Sequence, residues 1–177
     1  NVQYYAGGWK TFGTTSADDG LVTKELLPGS YKFKMYYGGM SEEQGYYNIN
    51  TVTLIQYQTK LITVEFMDSN GDPMTGNVQY YAGGWKTFGT TACGMATKEL
   101  LPGSYKFKMY YGGMSQEQGY YNINTVTTIT YQTVNVKVGL GDSVGAALSG
   151  GAALYYAGGW KTFGTTASNG EASQALL

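Results

Sequence analysis

Apolar and polar residues alternate over short runs along most of the chain, the period-2 pattern of strands buried on one side. From Tyr31 to Tyr37, Tyr31, Phe33, Met35 and Tyr37 fall on one side, and Lys32, Lys34 and Tyr36 on the other. Tyr105, Phe107, Met109 and Tyr111 repeat that side. Ile62, Val64 and Phe66 share a face, and Val136, Val138 and Leu140 keep the same apolar side in a diverged sequence. Ile55 with Tyr57, and Ile129 with Tyr131, mark a further short alternating run. Turn-forming clusters separate these runs: Asp68–Pro73, the Gly-Gly pairs, and the Pro-Gly steps at Pro28 and Pro102. No stretch carries a helical period, so the pattern predicts an all-β chain of short strands.

The runs recur. Asn1–Thr15 returns unchanged as Asn77–Thr91, and its core returns again as Tyr155–Thr166. Thr23–Thr53 recurs as Thr97–Thr127 with one change, Glu42 to Gln116. Trp9, Trp85 and Trp160 mark a unit of about 75 residues. Residues 60–133 are the complete copy. Residues 1–59 lack its leading segment, and residues 134–177 stop before its trailing strands. The chain also begins without Met and mid-repeat, which reads as an excerpt of a longer repeat protein. An alternative is that the tail lends Val134–Asp142 to the first copy of a neighbour, but Tyr155–Thr166 then duplicates Tyr4–Thr15. Differences between copies cluster at Ser16–Val22, Ala92–Ala96 and Ala167–Ser173, each holding one glycine, as expected of hairpin tips. The expected fold is a series of small Greek-key β-sandwich repeats of about 75 residues, each marginal alone and helped by stacking on its neighbours.

The order of these elements carries a family likeness. A strand leading into Asp68–Tyr81, then a Thr-Thr…Gly tip, then Glu99–Met109, resembles the prealbumin-like and Ig-like sandwich repeats of bacterial surface proteins. The carboxypeptidase regulatory-like domains and the collagen-adhesin B-type repeats share that layout. The resemblance covers the middle copy and most of its neighbours. It implies a stalk, spacer or adhesive module outside the cell. Collagen-adhesin repeats often hold a Lys–Asn isopeptide bond assisted by an acid. The lysine's place is taken here by Phe66 and Leu140, and the acid's by Met35 and Met109, so no such cross-link is expected.

Composition removes several functions. All 11 basic residues are Lys, the 12 acids give a net charge of −1, and there is no His. No Ser-His, Cys-His or zinc-His site can be built from this chain alone. Without Arg or excess positive charge there is no footprint for nucleic acid. No apolar run approaches the roughly 20 residues of a membrane helix. With 15% aromatic and 13% charged residues, the chain does not have the composition of a disordered tail.

Few residues suggest chemistry. Asp68, Asn70 and Asp72 alternate oxygen ligands as a calcium loop does, but Pro73 stands where that loop needs Gly, and a plain turn accounts for them. Tyr5 with Trp9, Tyr81 with Trp85, and Tyr156 with Trp160 can serve as stacking platforms for sugars or as packing between units. Tyr36 and Tyr110 belong to Tyr-Tyr pairs that must turn one ring outward on a strand. Lys32 and Lys34 read as an outward stripe for solubility and edge protection. Cys93, in a tip, has no partner in the chain. No Asn-x-Ser/Thr acceptor occurs, and paired acids such as Asp18–Asp19 and Glu42–Glu43 lie adjacent in the sequence without a nucleophile and base beside them.

These observations lead to a non-enzymatic structural repeat protein without cofactor, forming an extracellular filament, stalk or surface fibre. Its expected partners are copies of itself along or between filaments. One alternative is an adhesin or carbohydrate-binding array that uses exposed Tyr and Trp on surface glycans. Another is a set of accessory repeats beside a secreted enzyme.

Overall fold

A computed structural model describes residues 1–177. The protein is all-β, without helices. Residues 1–59 contribute β1 (Val2–Tyr5), β2 (Trp9–Gly13), β3 (Ser30–Tyr37) and β4 (Met40–Asn48). Residues 60–133 contribute β5 (Lys60–Met67), β6 (Asn77–Tyr81), β7 (Trp85–Thr90), β8 (Met95–Leu100), β9 (Ser104–Tyr111), β10 (Met114–Asn122) and β11 (Thr128–Gln132). Residues 134–177 contribute β12 (Val134–Gly139), β13 (Ala152–Tyr156), β14 (Trp160–Thr165) and β15 (Glu171–Leu176). Every sheet draws its strands from one copy.

In the middle copy two sheets sandwich the core. One has the order β10-β9-β6-β7, antiparallel throughout. The other has the order β11-β5-β8, in which β5 runs antiparallel to β8 and parallel to β11. Alternation places Val78, Tyr80, Phe88, Tyr105, Phe107 and Met109 on the inner face of the first sheet. Ile62, Val64, Phe66, Leu100, Ile129 and Tyr131 meet them from the second. The aromatic rings pack edge-on or tilted: Tyr80–Phe88 at 6.2 Å, Phe88–Phe107 at 5.8 Å and Phe66–Tyr111 at 5.2 Å between centroids. The buried Tyr105 hydroxyl donates to Leu101 O at 2.8 Å. Burial pushes its pKa up to about 12. Phe66 and Met109, at the places where the resembling repeats carry the lysine and its assisting acid, are both fully buried and crowd the backbone at Gly76.

The first copy departs from the alternation pattern because no strand equivalent to β5 lies beside it. In the first copy only β2-β1-β3-β4 forms. The run with Ile55 and Tyr57 is not a strand, although the nearly identical run with Ile129 and Tyr131 is β11. The segment matching β8, Val22–Leu26, is irregular too. The reason lies in the pairing. In the middle copy β8 and β11 are edge strands whose only ladder is with β5, and an isolated strand with no ladder has nothing to satisfy its backbone. The two segments are still held near the sheet by side chains: Gln44 Nε2 donates to Gln56 O at 3.0 Å, and Lys24 Nζ to Thr11 O at 2.8 Å.

In the third copy β12 pairs with β15, and β13 with β14. Val138 and Leu140, expected on a buried side, are 38% and 41% exposed because no strands matching β9 and β10 cover them. Ala92 and Met95 exchange both backbone hydrogen bonds across Cys93-Gly94, the tight hairpin turn expected of this tip, while β7 and β8 continue into different sheets, so the tip also arches across the sandwich. Cys93 (φ 49°) and Gly94 (φ 80°) make its tight turn.

Isotope exchange followed by NMR will show amides of Thr128–Gln132 protected at least about a hundredfold more than those of Leu54–Gln58, because only β11 must unfold locally to exchange. Equal protection in the two segments would contradict this role of β5. The substitution Phe66→Ala will destabilise the middle copy by about 3–5 kcal/mol in denaturant unfolding.

Candidate functional site

Two surfaces gather the aromatic and charged residues singled out by the sequence. The first is the outer face of the four-stranded sheet. Alternation turns Lys106 and Lys108 outward from β9, between Trp85 on one side and Glu117 on the other. Lys108 Nζ lies 4.0 Å from the Trp85 ring centroid and 3.3 Å from Glu117 Oε2. Lys106 Nζ lies 2.9 Å from Glu117 Oε1 and 5.0 Å from the Tyr120 centroid. Tyr81 packs edge-on against Trp85 at 5.5 Å, and the Tyr110 hydroxyl donates to Gln79 Oε1 at 3.2 Å.

The first copy repeats the arrangement. Lys34 sits 4.0 Å from the Trp9 centroid, Glu43 bridges Lys32 and Lys34 at 3.1 and 3.2 Å, Tyr5 packs on Trp9 at 5.5 Å, and Tyr36 donates to Gln3. One face of Trp9 and of Trp85 is therefore taken by an ammonium group. In the third copy Tyr156 and Trp160 pair at 5.7 Å with no strand matching β9 beside them, and Trp160 is 73% exposed. The lysines do not guard an edge. β3 and β9 are interior strands, so Lys32, Lys34, Lys106 and Lys108 tie neighbouring strands together across the face instead.

The second surface is the joint between copies. Tyr37 pairs with Met40, leaving Gly38-Gly39 as a two-residue turn with φ of +61° and +88°, the left-handed pair that a type I′ hairpin needs. This tip sits on the β6–β7 turn of the next copy. The Tyr80 hydroxyl donates to Gly38 O at 2.9 Å, while its ring is 2% exposed in the middle core. A Cβ added at Gly39 would fall on Lys86 Cε and lie 3.0 Å from Ala82 O. Met40 packs against the middle core. The joint recurs one repeat later: the Tyr155 hydroxyl donates to Gly112 O at 2.6 Å, and a Cβ at Gly113 would fall on Lys161. Sequence reading found the Gly-Gly pairs but took them only as turns. That the same glycines are also a docking surface is visible only once the copies are side by side.

The remaining candidates are dispersed. Asp68 Oδ1 accepts from the amides of Asn70 and Asp72 at 2.8 and 2.9 Å. These bonds hold its carboxyl below the usual range. Asp142 accepts likewise from Val144 and Ala146. In both copies the acid organises the turn after the leading strand. Cys93 is exposed and free at the arch. Asp19 caps its own loop through the Leu21 amide. No group of three metal-binding side chains comes together, and no helix is long and apolar enough to cross a membrane.

No protein-family model and no curated protein matches the sequence. Among solved structures the chain is similar to a streptococcal ancillary pilin, at 12% identity and a TM-score of 0.34. The match covers 83% of this chain and 63% of the pilin, so the chain spans less than two thirds of that protein's length. The likeness is coarse, and the sandwich is established by the strand pairings alone.

The lysine clamp gives a pH prediction. The hydrogen bond from Lys106, with Lys108 beside it, holds the Glu117 carboxyl below its ordinary value. A carboxyl depressed in the folded state contributes stability above its unfolded pKa and loses it as pH falls through the folded value. The same bond raises Lys106, whose contribution is present below the unfolded lysine pKa and fades as pH rises through the folded one. Side-chain NMR titration will place Glu117 below free glutamate and will show it move up in Lys106→Ala. An unchanged value in that variant would refute the clamp.

Proposed function

We propose that the chain is a non-enzymatic structural protein, a segment of an extracellular filament, stalk or surface fibre, in which residues 1–59, 60–133 and 134–177 act as stacked units. The observation that carries this is the joint, made twice with the same parts: Tyr80 to Gly38 O at 2.9 Å, then Tyr155 to Gly112 O at 2.6 Å. A joint that reuses one tip and one acceptor fixes each copy against the next in the same way. Identical steps in series generate a rod of regular pitch. The connection from β11 to β12 is the single residue Thr133, which limits bending between the second and third copies. The aromatic faces recur once per copy along the chain and suit lateral contact with further copies. The Lys34 and Lys108 ammonium groups already cover a ring face at Trp9 and Trp85, which favours packing over sugar stacking there.

Small-angle X-ray scattering of the native chain will give an elongated, stiff particle. Two substitutions test the joint. Gly39→Ala forces a side chain into the left-handed turn, at about 1–2 kcal/mol, and onto the Ala82 carbonyl. Tyr80→Phe keeps the ring in the core and removes one hydrogen bond worth about 0.5–1.5 kcal/mol. Both will broaden the distribution of particle lengths while circular dichroism stays that of β-sheet. Particles as stiff as the native chain in both variants would refute the joint. Glycan-array binding lost in Trp85→Ala would move the assignment to the carbohydrate-binding alternative.

A further inference from the structure

The middle sandwich has a second outer face, that of the three-stranded sheet, and its side chains are not those of a plain solvated surface. Ile62, Val64 and Phe66 fill the core, which turns Leu61, Thr63 and Glu65 outward from β5. Opposite them on β8 stand Glu99, Thr97 and Met95, in that order. Leu61 is 55% exposed and Met95 is 51% exposed. Thr63 lies between Thr97 and Thr128, a row of threonines across all three strands. The ion pairs of the protein all use Glu43, Glu117 or Glu171, so Glu65 and Glu99 stand without a cation. We infer that this face is a docking surface for a second copy of this chain, and that it receives the lysine and aromatic face of the four-stranded sheet. The inference rests on the lateral contact in the fibre reading and adds which face meets which.

Charge selects the partner. On the four-stranded sheet Lys106 and Lys108 share one carboxylate, Glu117, so that cluster keeps an excess of positive charge. The three-stranded face presents two carboxylates, and its outward positions on β5, β8 and β11 hold no lysine. Two acidic faces brought together would repel, whereas the acidic face laid on the lysine face is complementary. The apolar parts match as well. Tyr120, 66% exposed, and the Tyr81–Trp85 pair offer rings to Leu61 and Met95, and aromatic and methionine side chains are the ones enriched where proteins meet.

The strand does not itself require these side chains. In β12 the places of Leu61, Thr63 and Glu65 are taken by Asn135, Lys137 and Gly139, and Lys137 pairs with Glu171 at 3.1 Å. An apolar side chain and unpaired carboxylates are therefore a property of the middle copy's face and not of the fold. The two complementary faces lie on opposite sides of one sandwich. Each chain that docks leaves one face of each kind free, so chains add in series and the contact does not close at two.

Sedimentation velocity of the intact 177-residue chain will show reversible association that grows past the dimer as concentration rises. Raising the salt from about 0.01 M to about 1 M shortens the reach of charge from about 30 Å to about 3 Å and will weaken association at least about tenfold. Glu65→Lys with Glu99→Lys will abolish self-association. That variant keeps its lysine face, so mixing it with the native chain will cap the native stacks and shorten them. Leu61→Ser with Met95→Ser changes only exposed side chains and will weaken association at least about tenfold through lost apolar burial. Either pair suffices if circular dichroism shows that the other fails to fold. Carbodiimide coupling between isotope-labelled and unlabelled chains will join Lys106 or Lys108 of one to Glu65 or Glu99 of the other. Absence of association overturns the inference. So does a closed symmetric dimer, coupling between chains at other residues only, or association indifferent to the folded variants. Stiff particles that do not associate defeat this inference and keep the fibre reading, and flexible particles that associate through these faces do the opposite.

Discussion

β5 exchanges backbone hydrogen bonds on both edges, parallel to β11 and antiparallel to β8, while Ile62, Val64 and Phe66 beneath it complete the core. Few strands in so small a module carry three duties at once. It is the central member of the three-stranded sheet, the only ladder partner of two edge strands, and the source of three fully buried side chains. The chain supplies its own control for this dependence. Ile55–Gln58 and Ile129–Gln132 differ at a single position, Gln56 against Thr130, yet only the second forms a strand. Local propensity is matched, so the presence of the central partner decides the outcome.

The joint between copies draws on the same core. The Tyr80 ring sits inside the middle sandwich and its hydroxyl reaches out of it to the preceding tip, so folding of one copy positions the donor for the next. Packing a Gly-Gly tip against the neighbour's turn would put a side chain at Gly39 onto the Ala82 carbonyl, whereas one at Gly113 would meet only the flexible end of Lys161. This gives a physical reason for glycine at the first tip beyond the demands of the turn itself. Near-identical neighbours carry a risk of strand exchange during folding.

Much of the fold could be read from the chain. The alternation at Tyr105–Tyr111 and at Ile62–Phe66 gave the inward faces correctly, because a period of two translates directly into sides of a sheet. Less legible was anything that depends on which strand lies beside which. The Ile55–Tyr57 run has a strand pattern and no ladder. Lys32 and Lys34 look like edge guards until β3 proves interior. The Ala92–Met95 tip has hairpin chemistry but bridges two sheets. At the aromatic face, Tyr5, Trp9, Tyr81 and Trp85 were recognisable as outward rings, whereas the ammonium over each indole was not, since Lys34 and Trp9 are far apart in sequence and meet only across paired strands.

The most direct measurement of the central claim is calorimetric unfolding of a chain in which the sequence of Lys60–Gly76 is joined ahead of Asn1. If one central strand governs closure of the sandwich, the added segment will complete the first copy. The unfolding enthalpy will then rise by about 0.7 kcal/mol for each newly ordered residue, and the first copy will melt with the middle one. An enthalpy and a melting profile unchanged by the added segment would contradict the account.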